Sequence, residues 1–256
     1  MAESEELLER ALAAAGGELP AGEKEEYVRD MFNAIAHHYD MMNLVMTAGC
    51  YRLWQRAFLR LAAPAPDQQI LDVACGTADL SILLATQLTT GKVVGIDLAP
   101  AMLAVGAEKV RQRGLSGRIQ LLEGNALDLS FADGCFDMVT IGFGLRNITD
   151  RSRAVAEMAR VLRPGGRFLC LELTHPTNPV LAAPYFLYFR HVVPLLGRLF
   201  ERGAGRGAYT YLPNSLRSFP AAADLAALMA NCGLTDVTYK TFTGGIVALH
   251  SGRKPL

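Results

Sequence analysis

Ile70-Leu71-Asp72-Val73-Ala74-Cys75-Gly76-Thr77-Ala78-Asp79-Leu80, followed by Val93-Val94-Gly95-Ile96-Asp97, is the stretch that decides how this chain folds. An apolar run ends in a turn of small residues, a helical pattern begins, and a second apolar run closes on an acid. In a parallel β-α-β unit the tip of the second strand lies beside the first turn, so Asp97 can accept hydrogen bonds from a ribose. A nucleoside-bearing ligand is the first expectation.

The pattern continues outward from this unit. Strands are expected at about 70–74, 92–97, 118–122, 136–141 and 167–172, with helical stretches at 78–88, 100–113 and 150–162. Arg163-Pro164-Gly165-Gly166 stops the last of these helices, because proline and glycine do not extend it. Such alternation builds a doubly wound α/β sheet. Two more strands, near 234–242 and 246–251, flank Gly244-Gly245 and suggest a hairpin that adds an antiparallel strand at the sheet edge. Upstream, Tyr27, Phe32, Ile35 and Tyr39 recur at helical spacing, and Pro64 and Pro66 mark entry into the sheet. Residues 1–66 therefore read as a helical cap and 67–256 as the sheet domain. Prolines and aromatic residues such as Tyr185, Phe186, Phe189 and Phe200 mark an insertion at 175–217.

Composition narrows the function. The chain has 25 basic and 25 acidic residues, so no global field favours nucleic acid. Cys50, Cys75, Cys135, Cys170 and Cys232 form no Cys-x-x-Cys pair. Three of them (75, 135, 170) fall in or next to strands and read as core residues in a reducing cytoplasm, not as disulfides or a zinc site. The acidic N-terminus is no secretory signal, and the apolar run 180–189 is too short to span a bilayer, which needs about 20 residues. A protein in the cytoplasm, or held at a membrane surface, is expected.

The opening loop also discriminates between ligands. A pyrophosphate-binding turn needs Gly-x-Gly-x-x-Gly, and here Gly76 stands alone between Ala74 and Ala78. Asp79, in the first helical turn, would repel a pyrophosphate. S-adenosylmethionine has no phosphate and carries two cationic groups, which Asp72 and Asp79 would suit. A nicotinamide-dependent dehydrogenase is thereby disfavoured. Asn125, after the third strand, can read an adenine edge. Gly142-Phe143-Gly144-Leu145-Arg146-Asn147 ends the fourth, where ligands of such sheets bind.

Met31-Phe32-Asn33-Ala34-Ile35-Ala36 with Tyr39, Asp40 and Asn43, the Gly142–Asn147 segment, and Thr243-Gly244-Gly245-Ile246-Val247-Ala248-Leu249-His250 resemble the UbiE/MenG quinone C-methyltransferases. The likeness runs from about Val28 to the C-terminus. It implies a Rossmann-like class I methyltransferase fold with a seven-stranded, mostly parallel sheet. It also implies methyl transfer from S-adenosylmethionine to a ring carbon of a lipophilic polyprenylated quinol. Carried over by position, Thr77, Asp97, Asn125 and Ala126 would contact the cofactor, together with Asp72 and Gly76 of the loop. Two departures matter. The chain has Ala74-Cys75-Gly76-Thr77-Ala78-Asp79 where many ubiquinone-branch members have Gly-Gly-Thr-Gly-Asp, and Gly142 where they often carry serine. Both features look more like the menaquinone branch. The ubiquinone-pathway benzoquinol methylase and a non-catalytic cofactor-binding subunit stay open as alternatives, as does a homo-oligomer.

Methylating a ring carbon needs an electron-rich quinol and a group that accepts or relays a hydroxyl proton. Arg146 is the first candidate for stabilising the phenolate, as an electrostatic partner and not a base, because its guanidinium stays protonated. Asn147 would orient the ring, and Tyr39 could reach the same place from the cap. His175, just after the fifth strand, and His250, in the last strand, are weaker candidates. No spacing suggests a metal. The aromatic insertion, with Arg190, Arg198, Arg202 and Arg206, reads as a lid, or as a greasy tunnel or patch against an anionic membrane surface.

Overall fold

A computed structural model describes residues 2–16, 19–176, 187, 188, 192 and 207–256. Most of the expected aromatic insertion lies outside the described residues, with Tyr185, Phe186, Phe189, Phe200 and its four arginines.

The alternating apolar runs form strands β1 (Gln69–Val73), β2 (Lys92–Asp97), β3 (Ile119–Glu123), β4 (Phe136–Gly142) and β5 (Leu162–Leu173). Helices α5 (Asp79–Ala85), α6 (Pro100–Gln112) and α7 (Arg151–Val161) connect them. Four helices precede the sheet: α1 (Ala2–Gly16), α2 (Ala21–Ile35), α3 (Tyr39–Met46) and α4 (Cys50–Ala62). After β5 come α8 (Ala208–Ser215), α9 (Ala222–Asn231), β6 (Thr235–Phe242) and β7 (Val247–Arg253).

The strand order is β3-β2-β1-β4-β5-β7-β6. The first five are parallel, and β7 runs antiparallel to both of its neighbours. Alternate residues feed opposite faces, as a period of two requires. Leu71, Val139, Phe168 and Cys170 pack with α7 and α9. Ile70, Met138, Leu169 and Leu171 pack with Trp54 and Phe58 of α4 and with α5. So α4, within the span read as a cap, is a layer of the sheet domain. It is fastened by Trp54 Nε1, which donates to Thr243 Oγ1 at 2.8 Å in the turn between β6 and β7. The remaining cap residues, among them Tyr27, Met31 and Met42, cluster with Tyr211 of α8.

Two expectations need correction. The antiparallel strand is not at the edge: β7 inserts between β5 and β6, which leaves β6 outermost. Burial explains the order, since Val247, Ala248 and Leu249 are apolar and buried whereas β6 is mostly exposed. Cys75 and Cys170 are buried as expected, but Cys135 is exposed in the turn before β4. No helix among the described residues is long and apolar enough to cross a membrane.

Candidate active site

Sheet order reverses between β1 and β4, so the loops leaving their carboxyl ends diverge and open a crevice. An open cavity occupies it. Gly76, Asp97, Asn125, Ala126, Tyr39 and Asn147 all line it, so six of the nine expected site residues meet in one place. Asp72, Thr77 and Arg146 do not line it.

The loop after β1 winds through three left-handed residues, Ala74 (φ 52°), Gly76 (φ 54°) and Ala78 (φ 65°). Left-handed alanines are disfavoured, and they persist only where surrounding contacts fix them. Here Cys75 N donates to Ile96 O of β2 at 2.9 Å. Gly76 N donates to Asp97 Oδ2 at 2.8 Å, and Ala99 N to Asp97 Oδ1 at 2.9 Å. One carboxylate therefore joins the β1 loop to the start of α6. Burial pushes the Asp97 carboxyl up, while the N–H groups of Ala99 and Gly76 pull it back.

Asp72 works behind this loop. It is buried and accepts from Ser81 Oγ at 2.6 Å and Thr140 Oγ1 at 2.7 Å, pinning β1 to α5 and β4. Asp79 meets Lys109 Nζ at 2.5 Å, and the same ammonium bonds Asp40 Oδ2 at 2.5 Å and Thr77 Oγ1 at 3.0 Å. Thr77 in turn donates to Asp40 Oδ1 at 2.5 Å. Asp72 and Asp79 line a smaller adjoining pocket with Tyr39, Gly76 and Thr77, where the first also pins the sheet and the second is paired with Lys109. Asp97 and Glu25 are the carboxylates that line the cavity.

Burial raises the Asp72 pKa to about 6 from 3.8, against hydrogen bonds from Ser81 and Thr140 that lower it. Between those values the folded protein holds a proton that the unfolded chain has released. The native state is therefore favoured as pH falls through that window, and it loses about 3 kcal/mol of stability as pH rises through it. Denaturant titrations of wild type and Asp72→Asn should show the variant lacking this slope between pH 4 and 7. Parallel curves would refute the assignment.

At the end of β4 the chain turns through Phe143 (φ 57°), another left-handed residue. Of the flanking glycines, Gly144 is required by packing, whereas at Gly142 the Leu80 side chain can give way. A Cβ on Gly142 would stand 2.3 Å from Leu80 Cδ1, and one on Gly144 would stand 2.6 Å from the Cβ of Ala74. Phe143 packs against Tyr51 and Trp54 at 5.7 and 6.0 Å between ring centroids. Its carbonyl accepts from Arg146 Nη1 at 2.5 Å and Asn147 Nδ2 at 3.5 Å.

Arg146 is buried and ion-paired with Glu172 Oε1 at 2.7 Å. Burial opposes its charge, but Glu172 offsets this and leaves the guanidinium's pKa raised. Three further groups complete this end. Arg146 Nε and Asn147 Oδ1 are buried without partners. Tyr39 stacks edge-on against Phe32 at 5.9 Å, and burial raises its hydroxyl pKa. His175 and His250 do not line the cavity; Nε2 of each bonds a backbone carbonyl, of Phe219 and Ala222.

Sequence reasoning missed Glu25, Arg29, Met102 and Thr149 along the cavity, and Glu172 beneath Arg146. Glu25 is one acid among several on α2 and carries no local signal. Glu172 could have been found, because an acid closing the apolar run Phe168-Leu169-Cys170-Leu171 needs a buried partner.

The profile of the ubiE/COQ5 methyltransferase family matches residues 21–254. A relative named ubiquinone/menaquinone biosynthesis C-methyltransferase UbiE, from Ectopseudomonas mendocina, is 42% identical over 239 residues, 93% of each chain. Demethylmenaquinone methyltransferase of Bacillus cytotoxicus is 42% identical over 233 residues, 91% of this chain and 97% of that one. Among solved structures, a SAM dependent methyltransferase from Aquifex aeolicus shares the fold with a TM-score of 0.55 at 14% identity, covering 78% of this chain and 88% of that one.

Proposed function

Because the chain belongs to the ubiE/COQ5 methyltransferase family, we propose that it transfers a methyl group from S-adenosylmethionine to a ring carbon of a polyprenylated quinol, converting demethylmenaquinol to menaquinol. One observation carries the reading. A single cavity is lined by Asp97, Gly76, Asn125 and Ala126 and also by Asn147, Phe143 and Tyr39.

The residues fit an adenosyl donor without phosphate. Asp97 keeps lone pairs for ribose hydroxyls beyond the two N–H bonds it accepts. Gly76 is left-handed and faces Met102 so closely that a side chain would crowd the space. Bound there, S-adenosylmethionine would supply a methyl group activated by its sulfonium.

The remaining lining residues suit a hydroxylated ring. Asn147 Oδ1, buried without a partner, would accept a ring hydroxyl's hydrogen bond and fix which carbon faces the donor. Burial keeps the proton on Tyr39, which makes it a donor to a ring oxygen and not a base. Arg146 lies behind the cavity wall with its charge paired to Glu172, and its Nη1 donates to the Phe143 carbonyl, so it would hold the turn that presents Asn147 to the ring. Phe32, Tyr39 and Phe143 would exclude water from the ring.

The menaquinone branch is supported by the name of the Bacillus relative, and by Cys75 and Ala78 in the loop. A polyprenyl tail implies work in the cytoplasm at the membrane's inner face. Leu187, 63% exposed within the insertion, suits such a surface. Mass spectrometry on a mixture of demethylmenaquinol and a demethylated benzoquinol, with S-adenosylmethionine, tests the whole reading. Methyl-labelled menaquinol is the expected product. Labelled benzoquinol alone would move the chain to the ubiquinone branch, and no labelled quinol would overturn the reading.

A further inference from the structure

The base-reading part of the cavity has an imbalance of donors and acceptors. Adenine presents an amine that donates and a ring nitrogen that accepts, so its pocket needs one of each. In the loop after β3 the Asn125 oxygens each already hold one bond from a backbone N–H. Asn125 Oδ1 accepts from Leu127 N at 2.9 Å, and the Asn125 carbonyl accepts from Asp128 N at 3.1 Å. The loop also offers donors: the Asn125 amide and the Ala126 N–H, which has no backbone partner.

A further acceptor comes from the other side. Glu25 of α2 lines the same cavity, with Oε2 3.3 Å from Asn125 Nδ2 and Oε1 3.1 Å from Thr149 Oγ1. Each contact uses one of about four lone-pair sites on the carboxylate, which leaves capacity for another donor. We propose that Glu25 accepts the exocyclic amine of the bound adenine, so that the helical cap, and not the β3 loop alone, specifies the base.

The inference rests on the S-adenosylmethionine reading and makes a claim which that reading does not contain. If the cap supplies the acceptor, a residue outside the sheet helps to select the base. Clamping α2 to the sheet through Asn125 and Thr149 is the structural role that must be told apart from this.

Calorimetry with S-adenosylhomocysteine and S-inosylhomocysteine makes the distinction, because inosine carries a 6-oxo acceptor in place of the amine. Wild type should prefer the adenosyl ligand by on the order of 100-fold. In Glu25→Gln, whose amide can donate to the 6-oxo group, that preference should shrink about tenfold or more. Thr149→Val, which loses only a clamp bond, should keep it. If Glu25→Gln weakens both ligands by the same factor, Glu25 is a clamp and the proposal falls. If wild type binds neither, the S-adenosylmethionine reading itself falls, and the proposal with it.

Discussion

Arg146→Ala should destabilise the protein by about 3–5 kcal/mol and cut methyl transfer by about 10²-fold or more, the two effects having separate origins. The stability loss arises from Glu172, which is 1% exposed and would be left as an unpaired buried charge. Its Oε1 also accepts from Leu173 N at 2.8 Å and its Oε2 from Arg146 N at 3.2 Å, so it cannot swing out to water. The activity loss arises from the turn at Phe143–Asn147, which loses the donor to its Phe143 carbonyl. A double variant, Arg146→Met with Glu172→Gln, separates the two. Removing both charges should restore most of the stability in urea titrations, and turnover should stay low. Recovery of turnover along with stability would mean that the turn holds its place without Arg146.

Asp97→Ala should weaken binding of S-adenosylhomocysteine by at least about 100-fold, through two losses. The ribose loses its acceptor, and the N–H groups of Gly76 and Ala99 lose theirs, which frees a strained loop. The conservative variant is informative as well. In Asp97→Asn the amide must turn its NH₂ towards either Gly76 N or Ala99 N, placing a donor against a donor. Affinity should therefore fall about tenfold or more even though the side chain keeps its size. Ligand-induced shifts in Tm measure both variants, because the shift scales with the logarithm of ligand over Kd. An Asp97→Asn protein with wild-type affinity would mean the carboxylate does not organise the site.

The central strands β1 and β4 could be read from the sequence because they are buried on both faces and appear as short apolar runs between turn residues. Asp97 and the Gly142–Asn147 segment followed from the topology, since the carboxyl ends of such strands form the crevice. What could not be read depends on partners distant along the chain. Lys109 lies on α6, yet it neutralises Asp79 and ties down Asp40 of the cap. Nothing local to Asp79 announces that. Glu25 reaches Asn125 and Thr149 only after α2 folds across the sheet. The neighbours of β7 are likewise a tertiary outcome, which the hairpin turn does not specify.

The position of β7 bears on the order in which the sheet can be completed. Val247–Arg253 leaves the ribosome well after the five parallel strands, yet it pairs along its whole length with β5, from Arg167↔Arg253 to Leu173↔Val247. Until those residues emerge, one side of β5 has no partner, and β6 has nothing to join. A nascent chain carrying the first five strands thus presents an apolar open edge to its surroundings, the kind of template on which chains pair wrongly. Loss of residues 247–256 would leave the sheet in that same state.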